Sequence, residues 1–418
     1  MKINLSLKIN KKVLLYFLCA LLILRPTNPA LQVIFGASLG ELFNVIMKFG
    51  DYLLITCIIS FALMEKLAGS KRIFTKQAWL AYCFLCVLLI STIHYGNINN
   101  FLDYYAYLGN VFCCIYLFQS ARRDSNKFKA FLKGISIFFT IAMLLNSLCI
   151  YLFYPNGMYI TGEGIVDNNN YYLFGLDNVG FIISLSSFAI TATYDLITNK
   201  KIKIKTILIY IFIFLAYFYC QAATAILVSL VLFITLILQR LGLLKKVNFC
   251  VTLIICLISF LVIIGIQNFT FFSGLFTMLG KNMLLGGRLR IWKASLSSWL
   301  DNFWLGIGID TTVSSNVLYH HGFITAGWGK TIGHAHNIVF EILLKSGIIG
   351  TFFFISQFLV CIKGMMARRK SKIAKLLSIL FLLFWTTSLL DYRIEQIGGW
   401  IIFMLLYDVE RLDDLYQQ

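Results

Sequence analysis

Four of the five histidines in the chain lie close together in the sequence. They are His320, His321, His334 and His336, and the fifth, His94, stands far from them. An imidazole can accept a proton near neutral pH, and it is also a common metal ligand. The cluster therefore indicates acid–base chemistry or metal binding, and the plainer alternative is a polar loop.

His336 is the strongest candidate among these histidines. It stands with Asn337 where a polar loop passes into the apolar segment "IVFEILL", which contains Glu341 one turn further on. A polar side chain that enters a membrane is costly unless it faces protein or water, so we expect this group to line a cavity. A single imidazole that faces a substrate hydroxyl is a natural general base. The alternative is a hydrogen-bonded helix cap.

A metal site is disfavoured by the spacing of the other histidines. His320 and His321 are adjacent and do not easily face one ion, the segment 267–335 contains no cysteine, and no HExxH pattern is present. His320, His321 and His334 are therefore interpreted as loop residues. We expect neither a metal ion nor a cofactor.

A pair of arginines forms the second candidate group. Arg288 and Arg290 follow Gly286 and Gly287 at the predicted start of a helix. Guanidinium groups bind phosphate oxygens through two parallel hydrogen bonds, and free N–H groups at a helix N-terminus add positive potential. The pattern is typical of a diphosphate site, and equally of an interfacial helix that is anchored to lipid phosphates.

Two further segments carry weaker signals. In "FGLDNVG", Asp177 and Asn178 stand at the outer end of a predicted span, where they would contact a substrate or cap the helix. In "DYRIEQ", Arg393 is a candidate for substrate binding, and an ion pair with Glu395 or a topology signal is the alternative.

The composition indicates which class of protein positions these side chains. Hydrophobic residues make up 59% of the chain, charged residues make up 13%, and the mean hydropathy is +0.82. A soluble domain is about half apolar and about a quarter charged. The chain is therefore predicted to be a membrane protein.

The apolar runs predict about twelve membrane-spanning helices, since about twenty apolar residues cross the hydrocarbon layer. The predicted spans are 13–33, 51–65, 78–95, 101–120, 131–153, 172–196, 206–220, 222–239, 248–266, 336–362, 376–391 and 397–410. Most lysines and arginines fall in alternate connecting segments, so we expect both termini in the cytoplasm. The net charge of +18 then reflects topology and needs no nucleic acid partner.

One outer segment is much longer than the others. It divides the chain into a membrane domain at 1–266, an extracytoplasmic loop at 267–335, and C-terminal membrane helices with a cytoplasmic tail at 336–418. Apolar residues at helical spacing in this loop predict an amphipathic helix on the outer membrane surface. They are Leu289, Trp292, Leu296, Trp299 and Leu300. The predicted fold class is an all-α polytopic membrane protein with one large extracytoplasmic loop.

The loop and the helix after it resemble the signature of the O-antigen ligase and Wzy-type polysaccharide polymerase superfamily. The segment "GGRLRIWKASLSSWLDNFWLGIGID" is followed, after a variable stretch, by "HAHNIVFEILLKSGIIG". The residues that match the signature are Gly287, Arg288, Trp292, Gly306, Gly308, His336, Asn337, Gly347 and Gly350.

This resemblance implies a GT-C-like, metal-independent glycosyltransferase whose donor sugar is linked to undecaprenyl diphosphate. It implies that Arg288 engages the diphosphate and that His336 assists the acceptor hydroxyl. Ligases of the superfamily often carry another arginine in an outer turn, where this chain reads "QAATA" at 221–225. Arg290 and Arg393 are the candidates to replace it.

We therefore expect a polymerase of lipid-linked repeat units in surface polysaccharide synthesis (O-antigen, capsule or exopolysaccharide). The site is expected on the outer face of the bacterial cell membrane. The first alternative is a ligase that transfers polymer to a lipid A core or another acceptor. The second is a flippase or transporter, which the organised outer loop disfavours. Expected partners are the undecaprenyl-diphosphate-linked donor, the glycan acceptor, the membrane and a chain-length regulator.

Overall fold

The structure is a computed structural model that describes most of the chain. It describes residues 10–67, 75–159, 171–220, 226, 231–233, 237, 248–265, 288–321, 333–392, 394 and 396–418, except for the side chains of 176–179, 264 and 265. Within these residues the chain is almost entirely helical. The exception is a small antiparallel hairpin in which β1 (Tyr171–Tyr172) pairs with β2 (Gly175–Leu176).

The helices are numbered in chain order within the described residues. They are α1 Lys11–Ile23, α2 Asn28–Phe35, α3 Ala37–Leu67, α4 Lys76–Tyr95, α5 Phe101–Ala121, α6 Ser125–Phe153, α7 Asp177–Asn199, α8 Ile204–Tyr219, α9 Phe249–Gly265, α10 Arg288–Asp301, α11 Thr311–His320, α12 Ile338–Ala367, α13 Lys372–Ser388, α14 Ile397–Tyr407 and α15 Val409–Gln417. A single 3₁₀ turn, Ile98–Asn100, precedes α5.

The long apolar helices show that this is an all-α polytopic membrane protein. Among the described residues, 6 helices are long and apolar enough to cross a membrane, namely α3, α4, α5, α6, α7 and α12. Three shorter apolar helices, α8, α9 and α14, lie among them in sequence. The count of about twelve spans stays a prediction, as does the GT-C-like arrangement, and the predicted span 222–239 lies largely outside the described residues.

The predicted span 13–33 is wrong as a single helix. Helix α1 ends at Ile23, and α2 starts at Asn28 with its axis turned by 105°. The intervening "RPTNP" explains the break, because Pro26 cannot continue the hydrogen-bonded ladder and Pro29 is favoured in the first turn of a new helix. Helix α3 then extends back to Ala37, well before the predicted start at residue 51.

The predicted span 172–196 also begins too early. Its first residues form the hairpin, and helix α7 starts only at Asp177. Tyrosine and other aromatic residues are common in strands, so a short apolar run alone does not distinguish a strand from a helix.

Helix α12 is broken at Gly347, where φ is 59°. The loop after α10 passes alongside this break. The backbone N–H of Ile307 donates to the Leu344 carbonyl at 2.9 Å, and that of Ile348 donates to the Phe303 carbonyl at 2.8 Å. The loop therefore satisfies backbone groups that the break in the helix leaves without partners.

Close backbone approach explains the glycines in this region. A Cβ atom at Gly306 would lie 2.5 Å from the Leu344 carbonyl oxygen, and one at Gly308 would lie 2.5 Å from the Cα atom of Thr92 on α4. Both glycines also have positive φ, 67° and 74°. The Ser91 hydroxyl donates to the Gly306 carbonyl at 2.9 Å, so helix α4 holds the same loop from its other side.

Candidate active site

Helix α10 presents Arg288 toward the histidine segment. Trp292 lies one turn after Arg288, on the same face of the helix. Its indole Nε1 donates to the Ala335 carbonyl at 3.0 Å, and its ring stacks on Phe340 with centroids 5.5 Å apart. Trp292 is 3% exposed. This buried anchor fixes α10 against the segment that carries His336.

The residues just before His336 are held by side chains of α12. The Glu341 carboxylate accepts the backbone N–H of Ala335 at 2.7 Å and lies 3.1 Å from His334 Nδ1. Lys345 Nζ donates to the Gly333 carbonyl at 2.9 Å. The segment from Gly333 to Ala335 is therefore tied to the helix that follows it.

His336 itself has a left-handed backbone conformation, with φ 52°. This conformation is uncommon for residues other than glycine and costs about 1–3 kcal/mol, so it persists only where the surroundings enforce it. Asn337 provides part of that enforcement. Its side-chain oxygen accepts the N–H of Val339 at 2.9 Å as the cap of α12, and its Nδ2 donates to the Leu389 carbonyl at 2.9 Å.

The imidazole of His336 pairs with Asp391, which follows helix α13. Nδ1 of His336 lies 2.9 Å from Oδ1 of Asp391, and the two side chains are 17% and 14% exposed. The other ring nitrogen, Nε2, makes no hydrogen bond within the part of the chain that the structure describes. A carboxylate on one nitrogen fixes the ring orientation and leaves the opposite nitrogen for a ligand or a proton.

Arg288 completes the cluster through its charge. Burial lowers the pKa of the Arg288 guanidinium, and the nearby Asp391 carboxylate opposes that shift. The side chain is half-buried, and it forms no ion pair or hydrogen bond with any residue that the structure describes. A partly desolvated guanidinium of this kind is well suited to bind an anion.

Sequence reasoning missed Asp391. The residue stands 55 positions after His336, in the same "DYRIEQ" stretch that contains the candidate Arg393. A lone aspartate between two apolar runs was the available signal, since an acidic residue at a membrane helix end needs a partner.

The other candidate residues are placed as follows. Arg290 is exposed on α10, two positions from Arg288 and on a different face. Asn337 is fully buried, which favours a cap over direct contact with a substrate. Asp177 begins α7, but its side chain lies outside the described residues, and Arg393 lies outside them altogether.

The interpretation of the remaining histidines as loop residues is wrong for His320, which lies in a helix, whereas His321 and His334 lie outside the helices and nevertheless contact carboxylates. His334 is 7% exposed and interacts with Glu341. His320 ends helix α11, and Nε2 of His321, just after it, lies 3.0 Å from Oδ2 of Asp301 at the end of α10. Helix α11 was not predicted. Its capping residue Asp310 lies within the glycine-rich turn after α10, so the sequence there indicates a turn and hides the start of a helix.

Residues 207–355 match the family model described as O-antigen ligase. Over these residues the chain is similar to the O-antigen ligase family. The resemblance to the O-antigen ligase and polymerase superfamily is thereby confirmed. No curated protein matches the chain.

The matched residues include Arg288 and His336, whereas Asp391 lies beyond them. The site is thus assembled from α10, the start of α12 and the turn after α13. The site brings together the imidazole of His336, the Asp391 carboxylate that pairs with it, and the Arg288 guanidinium, which has no hydrogen bond to any described residue. Such a cluster can remove a proton from a nucleophile and stabilise a departing anion.

Proposed function

We propose that the protein polymerises oligosaccharide repeat units that are linked to undecaprenyl diphosphate. The family match supports the coarser statement, an O-antigen ligase or polymerase type of reaction on lipid-linked glycans in polysaccharide synthesis. The observation that carries the proposal is the His336–Asp391 pair at 2.9 Å beside Arg288, whose guanidinium has no bonded partner in the described residues.

In the proposed reaction His336 is the general base. Its Nδ1 proton is donated to Asp391, so Nε2 accepts the proton of the acceptor hydroxyl. The hydroxyl oxygen forms a bond to the anomeric carbon of the donor sugar. The imidazolium produced in this step is stabilised by the Asp391 carboxylate, as in other histidine–carboxylate pairs.

The leaving group is the lipid diphosphate. As the bond from the anomeric carbon to its oxygen breaks, the electron pair stays on that oxygen, and negative charge develops there. Arg288 stabilises this charge, which is the type of contribution that preorganised donors make to transition states. Arg290 and Arg393 are further candidates to contact the diphosphate, and Asp177 is a candidate to contact the glycans. No divalent metal enters this step, so we expect EDTA to leave the rate unchanged.

A ligase is the second candidate. The description of the matching family model favours it, since that family is named for O-antigen ligase. The sequence "QAATA" at 221–225 favours the polymerase, because many ligases carry an arginine in that turn. These residues lie outside the described part of the structure. The two reactions share the donor chemistry and differ in the acceptor, a growing repeat unit or a lipid A core.

We propose further that the site lies on the outer face of the bacterial cell membrane. Helix α12 separates the site from Arg368, which follows its other end. Arg122 and Arg368 pair there with carboxylates of the C-terminal segment, and Arg411 in that segment donates to the Ser125 hydroxyl. Basic segments are retained in the cytoplasm, so the site faces outward and meets lipid-linked repeat units there. A chain-length regulator is the proposed protein partner.

Deletion of the gene, followed by electrophoresis of lipid-linked and surface glycans, tests this proposal. A plasmid copy, its His336→Ala version and its Gln357→Leu version serve as rescue, site variant and folding control. Single repeat units in place of long chains support a polymerase. Long chains that remain on the lipid carrier support a ligase, and repeat units trapped inside the cell support a flippase. An unchanged glycan profile would refute all three.

A further inference from the structure

Two charged side chains lie fully buried in the first turns of α12. Glu341 and Lys345 are each 0% exposed. Charges are costly inside a membrane helix, and a buried ion pair rarely improves stability over apolar residues of the same size. Their presence directly behind the candidate site therefore calls for a role other than general stability.

Both side chains bind the segment that leads into His336. One Glu341 oxygen lies 3.1 Å from His334 Nδ1, and the other accepts the backbone N–H of Ala335 at 2.7 Å. Lys345 Nζ donates to the Gly333 carbonyl at 2.9 Å and to the Ser314 hydroxyl on α11. Three consecutive residues before His336 are thus held by two charges one helical turn apart.

We propose that Glu341, braced by Lys345, is a positioning residue that keeps His336 in its left-handed conformation. The inference rests on the proposed role of His336 as a general base. Glu341 fixes the peptide unit of Ala335 on one side, and Asn337 fixes the start of α12 on the other. His336 is then the one residue between two anchored points, so its φ of 52° is imposed and Nε2 is aimed away from Asp391.

Removing the Glu341 carboxylate lets His336 relax toward an ordinary backbone conformation. The imidazole then no longer meets the acceptor hydroxyl at the distance that proton transfer needs. Misplacement of a reacting group by about 1 Å can reduce the rate about 100-fold. Substrate binding depends on other groups, so the loss appears in kcat and much less in KM.

Steady-state kinetics of the purified full-length protein in lipid nanodiscs test this inference, with a lipid-diphosphate-linked repeat unit as substrate. We expect Glu341→Ala to lower kcat by about 100-fold with KM little changed. Glu341→Gln keeps an oxygen for the Ala335 N–H and should recover part of that loss. Lys345→Met should lower kcat less than Glu341→Ala does. Wild-type kcat in Glu341→Ala would overturn the inference.

Gln357→Leu is the matched control. Gln357 is a buried polar residue on the same helix, far from the site, and it binds the Leu80 carbonyl and the Tyr407 hydroxyl. Its replacement removes buried hydrogen bonds from α12 without touching the segment before His336. Equal losses of kcat in Gln357→Leu and Glu341→Ala would mean that Glu341 only stabilises the helix, and would also overturn the inference.

A second readout does not depend on turnover. The rate at which diethylpyrocarbonate modifies His336, followed by mass spectrometry of the peptide, reports the environment of its imidazole. We expect this rate to change in Glu341→Ala and to stay at the wild-type value in Gln357→Leu. An unchanged rate in Glu341→Ala would contradict the positioning role. Wild-type activity in His336→Ala would instead refute the proposed function, so the two failures are distinguishable.

Discussion

The two ends of helix α12 use charge in opposite ways. At the end that we call the basic end, arginines are paired with carboxylates. Arg122 lies 2.8 Å from Asp408, and Arg368 lies 3.5 Å from Asp413 and 3.2 Å from Asp414. At the other end, the site end formed by Arg288, His336 and Asp391, the arginine has no such partner among the described residues.

We interpret this difference as one between structural charges at the basic end and functional charges at the site end. Each pair at the basic end joins the C-terminal segment to another helix, α5 or α12, and so fixes how the helices pack. At the site end, charges hold a backbone segment and a histidine in place but leave Arg288 and Nε2 of His336 available. Partial burial of a cation without an anionic partner is unfavourable in free energy. A ligand that supplies the anion removes this unfavourable contribution when it binds.

Among the charged residues at the two ends, Arg288 has the largest expected effect when it is removed. Arg288→Ala should lower kcat by about 10²–10³-fold, because a preorganised donor to the developing diphosphate charge is lost. Arg288→Lys should retain part of the activity, since an ammonium keeps the charge but not the paired donors. Release of lipid diphosphate in single turnovers measures the step directly. Arg369→Ala, an exposed arginine just after α12, is the control. Near-normal turnover in Arg288→Ala would remove the contrast between the two ends.

Asp391→Asn should lower kcat by about 100-fold or more, because the amide no longer selects the imidazole tautomer in which Nε2 accepts a proton. Asp301→Asn is a closely matched control. Asp301 also lies 3.0 Å from a histidine nitrogen, that of His321, but its side chain is 65% exposed and outside the cluster. The same assay compares the two variants. A comparable loss in both would mean that the His336–Asp391 pair has no special role.

At the basic end, substitution should affect stability and not catalysis. Arg122→Ala removes the ion pair of the Asp408 carboxylate, which is 3% exposed, and leaves only the more distant charge of Arg411. We expect a loss of about 3 kcal/mol, the lower part of the range for breaking a buried pair, because Arg122 is itself partly exposed. Thermal unfolding in detergent measures this loss. Turnover per folded molecule should stay at the wild-type value. A fall in kcat without a loss of stability would contradict a purely structural role for Arg122.

The smallest expected effect concerns Asp310, which joins the loop to α4 and α5. Its Oδ1 caps α11 through the N–H groups of Thr312 and Val313 at 2.8 and 3.1 Å. Its Oδ2 accepts the hydroxyl of Tyr104 and the N–H of Asn97. We expect Asp310→Ala to destabilise the protein by about 2 kcal/mol, the upper part of the range for a lost N-cap, because two further donors also lose their acceptor.

The stabilisation from Asp310 should depend on pH. Burial raises the pKa of the Asp310 carboxyl, but hydrogen bonds from Tyr104 and from backbone N–H groups outweigh burial and lower it. A lowered pKa means that the stabilisation is complete above the ordinary carboxyl pKa and is lost as pH falls through the lowered value. The difference in melting temperature between the wild type and Asp310→Ala should therefore shrink in acid. A constant difference would contradict this assignment.

Local sequence predicted part of the site. Arg288 and His336 were predicted because each stands at the boundary between a polar loop and a helix, where an exposed side chain is expected to act. Asp391 was not predicted, since its pairing with His336 depends on how α13 packs beside α12. The supporting role of Glu341 and Lys345 could not be derived either, because their partners are backbone groups of a segment with no regular structure.

The fold was predictable to a similar extent. Apolar runs identified most helices, because membrane insertion requires long apolar segments whatever their packing. The break at Gly347 was not predicted, since it lies within an apolar run and depends on the backbone of residues 303–308. The break after Ile23 had a visible signal in Pro26 and Pro29, which a count of apolar residues overlooks.

We propose that His336, Asp391 and Arg288 form one centre for glycosyl transfer. Its most direct test is the purified protein in nanodiscs, supplied with a lipid-diphosphate-linked repeat unit, with chain length and released lipid diphosphate followed together. We expect polymer and stoichiometric lipid diphosphate from the wild type and from Gln357→Leu, and neither product from His336→Ala. Polymer made by His336→Ala at the wild-type rate would contradict this proposal.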